Sequence, residues 1–360
     1  MKQAIEKLLR ETPSLKGKDI AKKIGEDKKA VNSFLYAHKD DFVQDNNYCW
    51  SLNKPTELEI EFEANQWVDC SSFEDSLSKA GSPLDLECTS ITFMIPENCK
   101  ILLDAAARFL ALCNQLSHAG KAVTINFNNC ASTLSYFDRI GFIDHLDQHV
   151  TVLPQKPSVS GAAIYRGNNQ AVVEFGAVNP NGANKELINQ LTDCFVQQSD
   201  DCYETAASTV FGELIGNIQE HSESVMLGFS ALQKYGGKRK HIQTVVSDSG
   251  LGIAATLKPS LFEHYPMLHK LHNSNDFDIQ LVTAVLTKGE ISRFGSSSGR
   301  GLGFKSSREQ AVKFEARLSV RQENFSLDLE YKNGEMVQIN RHVDLVTIRG
   351  THLCFDFFVD

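Results

Sequence analysis

Between Val210 and His221 an apolar run at helical spacing is interrupted by three polar residues four apart, Glu213, Asn217 and His221. Residues separated by four project from one face of a helix, here among Val210, Leu214, Ile215 and Ile218. An apolar helix that keeps a carboxylate, an amide and an imidazole in one column must satisfy them, with a polar network inside the fold or with a ligand. Downstream, residues 242–253 read as a strand that delivers Asp248 into a turn. Gly250 and Gly252 in that turn permit positive φ and close backbone approach. Further on, Ser-Ser-Ser-Gly-Arg-Gly-Leu-Gly-Phe at 296–304 forms a glycine-rich loop running into a helix over 305–312. Exposed N–H groups at such a loop and helix start suit an anion such as phosphate. Each segment is common alone; their order narrows the fold.

In that order, E-x-x-x-N on a helix, D-x-G-x-G after a strand and G-x-G-x-G opening a helix resemble the GHKL superfamily of ATP-binding domains, which includes gyrase, histidine kinases and MutL. Arg349-Gly350-Thr351-His352-Leu353-Cys354-Phe355 resembles the closing strand of that family, where threonine follows glycine. The alternative phosphate loop, G-x-x-x-x-G-K-[ST], does not occur. The resemblance implies a Bergerat-type α/β sandwich over 156–360, with ATP and Mg²⁺ as cofactors. By the same resemblance Asn217 coordinates Mg²⁺, which bridges phosphates through oxygen ligands and retained waters. Glu213 orients or deprotonates the attacking water if hydrolysis occurs. Asp248 accepts from the adenine amino group, with Thr351 and a water completing that contact. Gly250 and Gly252 shape the base pocket, and Gly299, Gly301 and Gly303 let backbone amides reach the phosphates. Arg300 adds charge there, His221 supports the Asn217 region, and residues 261–298 form a lid. "NIQEHS", "DSGLGI" and "LTKGEISRFGSSSGRGLGF" look like the compact anti-sigma-kinase and histidine-kinase branch, without the transducer domain of gyrase and MutL. Hydrolysis is then expected to be slow, partner-dependent or absent.

The rest of the 360-residue chain is long enough for further domains. Residues 1–53 have the rhythm of a winged helix-turn-helix. Ile5, Leu8 and Leu9 mark a first helix, and Ile20, Ala21 and Ile24 a second ending near Gly25. Asp27 caps a third over 28–37 with Val31, Phe34 and Leu35 inside, and Asp45-Asn46-Asn47 turns a hairpin, the wing. Lys28, Lys29, Asn32 and Ser33 are expected on the exposed face of the third helix, the usual groove-entering element. This head carries 11 Lys+Arg against 8 Asp+Glu over residues 1–54, whereas the whole chain has a net charge of −9, so only the head suits a polyanion. Residues 54–83, with Glu57, Glu59, Glu61 and Glu63 alternating with apolar residues, read as an acidic connecting segment, partly ordered. Residues 84–155 read as strand, helix, strand, helix, closing on "FDRIGFIDHL", and resemble the small α/β STAS domain of anti-sigma-factor antagonists. In that family a serine at the first helix start is phosphorylated; here Pro96-Glu97-Asn98-Cys99-Lys100 offers no hydroxyl.

The overall expectation is an α/β multidomain protein with three functional readings. The first is an ATP-binding regulator or slow Mg-ATPase whose nucleotide state controls contacts with a protein partner or with DNA or RNA through the head. The second is a serine/threonine kinase of a partner-switching system. The third is a DNA-binding regulator with ATP as ligand only. A homodimer is compatible with each. Nine scattered cysteines without a C-x-x-C pair suggest reduced thiols in a cytoplasmic protein, and no apolar run approaches the roughly 20 residues of a membrane span.

Overall fold

The first helices close around Trp50. α1 (Lys2–Glu11), β1 (Leu15–Lys16), α2 (Gly17–Ile24) and α3 (Lys28–Ala37) precede a hairpin of β2 (Phe42–Gln44) and β3 (Cys49–Leu52). Gly25 ends α2 in the left-handed conformation at φ 74°, and the Asp27 carboxylate caps α3 by accepting from the Lys29 and Ala30 amides. Asp45 accepts from the Asn47 and Cys49 amides and so sets the hairpin turn. β3 is the central strand of three, with Leu52 opposite Phe42 and Trp50 opposite Leu15. Ile5, Leu9, Ile20, Val31, Leu35 and Phe42 complete the core. In the computed structural model the described residues are 1–52, 57–179, 181–221, 224–237, 239–266, 274, 276–288 and 315–359. They fall into two units, Met1–Glu57 and Leu58–Asp360.

The second unit begins with β4 (Glu57–Glu61), β5 (Trp67–Val68) and α4 (Cys70–Ala80). β6 (Ser90–Met94), β7 (Lys100–Ile101), α5 (Leu103–His118), β8 (Ala122–Asn126), α6 (Ala131–Arg139) and β9 (Thr151–Leu153) follow. From Glu57 on, the stretch read as an acidic connector forms regular elements. Its alternating glutamates are the outward side of β4, the edge of a four-stranded sheet in the order β4-β6-β8-β9, while Ile60, Phe62, Phe73 and Leu77 are buried. β6, β8 and β9 run parallel, with Ile91 beside Val123 and Ile125 beside Val152.

The remaining elements are α7 (Gly161–Tyr165), β10 (Val172–Val178), α8 (Lys185–Gln198), α9 (Glu204–His221), β11 (Gly228–Tyr235) and β12 (His241–Ser247). α10 (Gly252–His264), α11 (Phe277–Lys288), β13 (Ala316–Gln322), β14 (Phe325–Lys332), β15 (Glu335–His342) and β16 (Thr351–Phe358) complete the elements of the described residues. Seven antiparallel strands form one sheet, ordered β10-β11-β12-β16-β13-β14-β15. Ile242, Val246, Leu318, Val320, Leu353 and Phe355 share a core with residues of α8 to α11 on one face. α11 belongs to that core through Leu281, Val282 and Val285, although the sequence assigned it to a lid.

The other sheet face receives α5, packed chiefly on β12. Every residue of α5 from Leu103 to Leu116 except Asn114 is buried, as expected of a helix between two layers. The layer it meets is polar. β13 alternates Arg317, Ser319 and Arg321 toward α5 with Leu318, Val320 and Gln322 toward the opposite helices, following the period of two. Fully buried Arg321 and nearly buried Arg108 of α5 share the Glu74 carboxylate of α4. Arg321 donates from Nε and Nη2 at 3.0 and 3.1 Å, and Arg108 from Nη1 at 3.0 Å. Gln243 of β12 accepts from the Asp104 amide and donates to Asp356. Such a buried network fixes one relative position of the two layers, because any other would leave charges unpaired. All nine cysteines are free thiols, six of them buried. No described helix is long and apolar enough to cross a membrane.

Candidate functional site

Three adjacent strands end together, and side chains at their ends lie on the face that carries α8–α11. β12 runs on into Asp248, whose amide donates to the Thr351 carbonyl at 2.9 Å where β16 begins. By the strand period, Asp248 and Thr351 lie on the same side as Val246 and Leu353. On the next strand Gln322 pairs with Thr351, and its side chain joins the two neighbours. Its Nε2 donates to Thr351 Oγ1 at 2.7 Å, while its Oε1 accepts from the Ile253 amide at 2.8 Å in the first turn of α10.

The turn after Asp248 depends on its glycines. The Gly250 amide donates to Asp248 Oδ1 at 2.6 Å, and Gly252 sits at φ 78°, where a Cβ would press on Gln322 Oε1 at 2.9 Å. Gly350 is tighter still: at φ 94°, its missing Cβ would overlap the Asp248 carbonyl. Asp248 is 8 % exposed, and burial pushes its carboxyl up to about 6, opposed by hydrogen bonds from Gly250 and Thr351. The carboxylate has no ion-pair partner among the described residues, and a carboxylate has acceptor capacity beyond the bonds from Gly250 and Thr351, so a neutral donor could add a further one.

α9 packs beside α10. Its apolar side, Val210, Phe211, Leu214, Ile215 and Ile218, is buried, whereas Glu213 and Asn217 are half-buried along one stripe with Gly212 and Gly216. Among the described residues nothing lies within 4 Å of a Cβ built on either glycine. Asn217 Nδ2 is buried yet has no hydrogen-bond partner among the described residues, a costly state for an amide. Half a turn of the amide presents its oxygen there instead.

Asp248, Gly250, Gly252 and Thr351 thus converge at one end of the sheet, and Glu213 and Asn217 share a face of α9. Gly299, Arg300, Gly301 and Gly303 lie outside the described residues, as does the side chain of His221. Gln322 escaped the sequence reading; its only signal was an inward-facing polar residue closing an otherwise apolar strand side. The backing of the site escaped it too. Gln115 of α5, 3 % exposed, donates from Nε2 to Ser249 Oγ and to the Arg349 carbonyl and accepts from the Arg349 amide, each at 2.9 Å. His352 completes this support. Its Nε2 lies 3.0 Å from the Arg349 carbonyl, an acceptor only, so Nε2 carries the proton and Nδ1 accepts from Ser247 Oγ at 2.6 Å. Burial first, then Arg321 and Arg108, hold its imidazole neutral, down to about 3.

In the first unit Lys28, Lys29 and Ser33 are exposed on α3. Asn32 departs from the expected exposed row: it is half-buried, with its amide against Gly17, where any Cβ would overlap it. Its position one turn beyond Lys28 turns it toward the start of α2.

Comparisons with protein-family models, curated proteins and solved structures find no match to this chain.

Proposed function

We propose that residues 156–360 form a GHKL-type ATP-binding domain and that the protein is a nucleotide-dependent regulator with slow or partner-dependent Mg-ATPase activity. The carrying observation is the buried Asp248 carboxylate, which has no ion-pair partner among the described residues, beside Thr351, with Gln322 fixing the threonine hydroxyl. An exocyclic amino group is the complementary donor, and adenine carries one on its Watson–Crick edge. Guanine carries a carbonyl at that position and would set two acceptors together, so Asp248 favours ATP over GTP.

Asn217 and Glu213 suit the phosphate end. Among the described residues no group of three or more His, Cys, Asp or Glu side chains could cage a metal by itself. That donor set fits Mg²⁺, which prefers one or two protein oxygens together with phosphate oxygens and waters. The unmet amide of Asn217 supplies one such oxygen after rotation, and Mg²⁺ there would neutralise charge on the phosphates. Glu213, one helical turn away, would orient a water for attack. Glycines 299, 301 and 303 and Arg300 retain the phosphate-binding roles that the resemblance implies. Calorimetry of Mg-ATP and Mg-GTP with the full chain tests the reading: micromolar ATP binding with weaker GTP supports it, and equal or undetectable binding of both contradicts it.

A nucleic-acid contact by the first unit is favoured by one observation. Lys28 and Lys29 stand exposed at the start of α3, and neither has an ion-pair partner among the described residues. Three helices with a three-stranded β1-β3-β2 sheet agree with a winged-helix reading of this unit. Duplex binding should weaken steeply with salt, and Lys28→Ala with Lys29→Ala should flatten that slope by about two phosphate contacts. Transfer of labelled phosphate to another protein would favour the serine/threonine kinase reading instead.

A further inference from the structure

We infer that Gln115, on a helix of the small parallel-sheet layer, is a positioning residue for nucleotide-base selection in the adjoining antiparallel sheet; this rests on the ATP-binding reading above. Its three hydrogen bonds reach the two residues that flank the candidate base pocket, Ser249 after Asp248 and Arg349 before Gly350 and Thr351. Ser249 and Arg349 belong to different turns. One side-chain amide therefore ties together the turns that carry the Asp248 carboxylate and the Thr351 hydroxyl, the pair assigned to the base.

The two turns are also joined directly, because the Asp248 carboxylate accepts hydrogen bonds from Thr351. The Asp248 and Thr351 backbones share one hydrogen bond, from the Asp248 amide, and Gly350 at φ 94° brings the two chains too close for any side chain. Gln115 sits behind this contact on the sheet face remote from the α8–α11 helices, so it touches no ligand itself. Its donor and acceptor ends are matched: Oε1 takes the Arg349 N–H, and Nε2 gives its two protons to the Arg349 carbonyl and Ser249 Oγ. An aliphatic side chain of the same length fills the space and loses all three bonds. The small layer consequently bears on base selection through α5, which is anchored at its other end by the Leu103 and Asp104 amides donating to Tyr235 and Gln243.

A loss of stability and a loss of positioning leave different marks on binding. Lowering the folded or competent fraction weakens every nucleotide by the same factor and preserves their ratio. Displacing Asp248 relative to Thr351 weakens ATP selectively, because only ATP uses the carboxylate as an acceptor. The test is calorimetry of Mg-ATP and Mg-GTP on the full chain for wild type, Gln115→Met, Ser249→Ala and, as a packing control within α5, Leu110→Ala. The ATP-over-GTP preference should fall about tenfold in Gln115→Met and about threefold in Ser249→Ala, and should be unchanged in Leu110→Ala whatever its melting temperature. If Gln115→Met does not fold, Ser249→Ala carries the test, since it removes one of the three bonds from the far side. An unchanged preference in the folded Gln115 and Ser249 variants, or an equal loss in Leu110→Ala, overturns the inference while leaving ATP binding standing. Wild type that binds neither nucleotide overturns the ATP-binding reading and the inference with it.

Discussion

The amide of Asp248 donates to the carbonyl of Thr351 at 2.9 Å, so the last residue beyond one strand and the first of its neighbour are joined where both leave the sheet. Residues 103 positions apart in sequence thereby present a carboxylate and a hydroxyl on one face, with Gln322 of a third strand holding the hydroxyl. Burial of that carboxylate costs stability, and the cost makes the first prediction.

Asp248→Asn should stabilise the unliganded protein at pH 8 while weakening ATP. The carboxyl is raised from 3.8 to about 6 by desolvation, a shift equivalent to about 3 kcal/mol against the ionised folded state, as an upper figure. The proton is held more tightly in the folded state, so this penalty is absent below pH 4 and complete above pH 6. Denaturant melts at pH 8 should give a higher midpoint for the variant, and calorimetry should show at least tenfold weaker ATP binding. For wild type, ATP binding should strengthen as pH rises through about 6, because the ionised carboxylate is the stronger acceptor for the amino group.

His352 works in the opposite sense over the same range. Its folded imidazole is depressed to about 3 from an ordinary 6.5, so the unfolded chain binds the extra proton between those values. Its contribution is complete above pH 6.5 and is lost as pH falls toward 3, at up to about 1.4 kcal/mol per pH unit. Asp248 partly offsets this between pH 4 and 6. His352→Gln should flatten the acid limb of a stability-versus-pH curve, and Asp248→Asn should steepen it.

Glu74→Gln should be severely destabilising although Glu74 lies in a segment whose sequence reads as a linker. The carboxylate accepts from both buried guanidiniums, and its loss leaves Arg108 and Arg321 close together without the counter-charge that they share. Removing one partner of a buried ionic network typically costs about 3–5 kcal/mol. Urea titration should show that loss; a change within about 0.5 kcal/mol, as for an ordinary surface substitution, would mean that the network does not hold the layers together.

Much of this fold was legible in the sequence because hydrophobic periods dictated it. α2, α3, β6, α5, β8 and α6 fall within about two residues of their apolar patterns, and the Asp45 turn follows from its residues. The segment at 57–63 was legible only as a partly ordered acidic connector, because alternating glutamates hide the period of two that puts Ile60 and Phe62 inside and makes an edge strand. α5 was legible as an apolar helix but not as a bridge between layers. Gln115, Arg108 and Arg321 meet residues more than 30 to 240 positions distant, and no local period encodes such pairings. The candidate site was legible where glycine restricted the backbone, at Gly250, Gly252 and Gly350, and illegible at Gln322, whose partners come from two other elements.

The most direct test of the central claim is ATP affinity with and without Mg²⁺ for wild type and Asn217→Ala, on protein whose folding is verified by circular dichroism. Wild type should bind Mg-ATP at least tenfold more tightly than metal-free ATP, and Asn217→Ala should lose that Mg²⁺-dependent gain while keeping most of its metal-free affinity. A folded Asn217→Ala variant that binds Mg-ATP as tightly as wild type would contradict the assignment of this site.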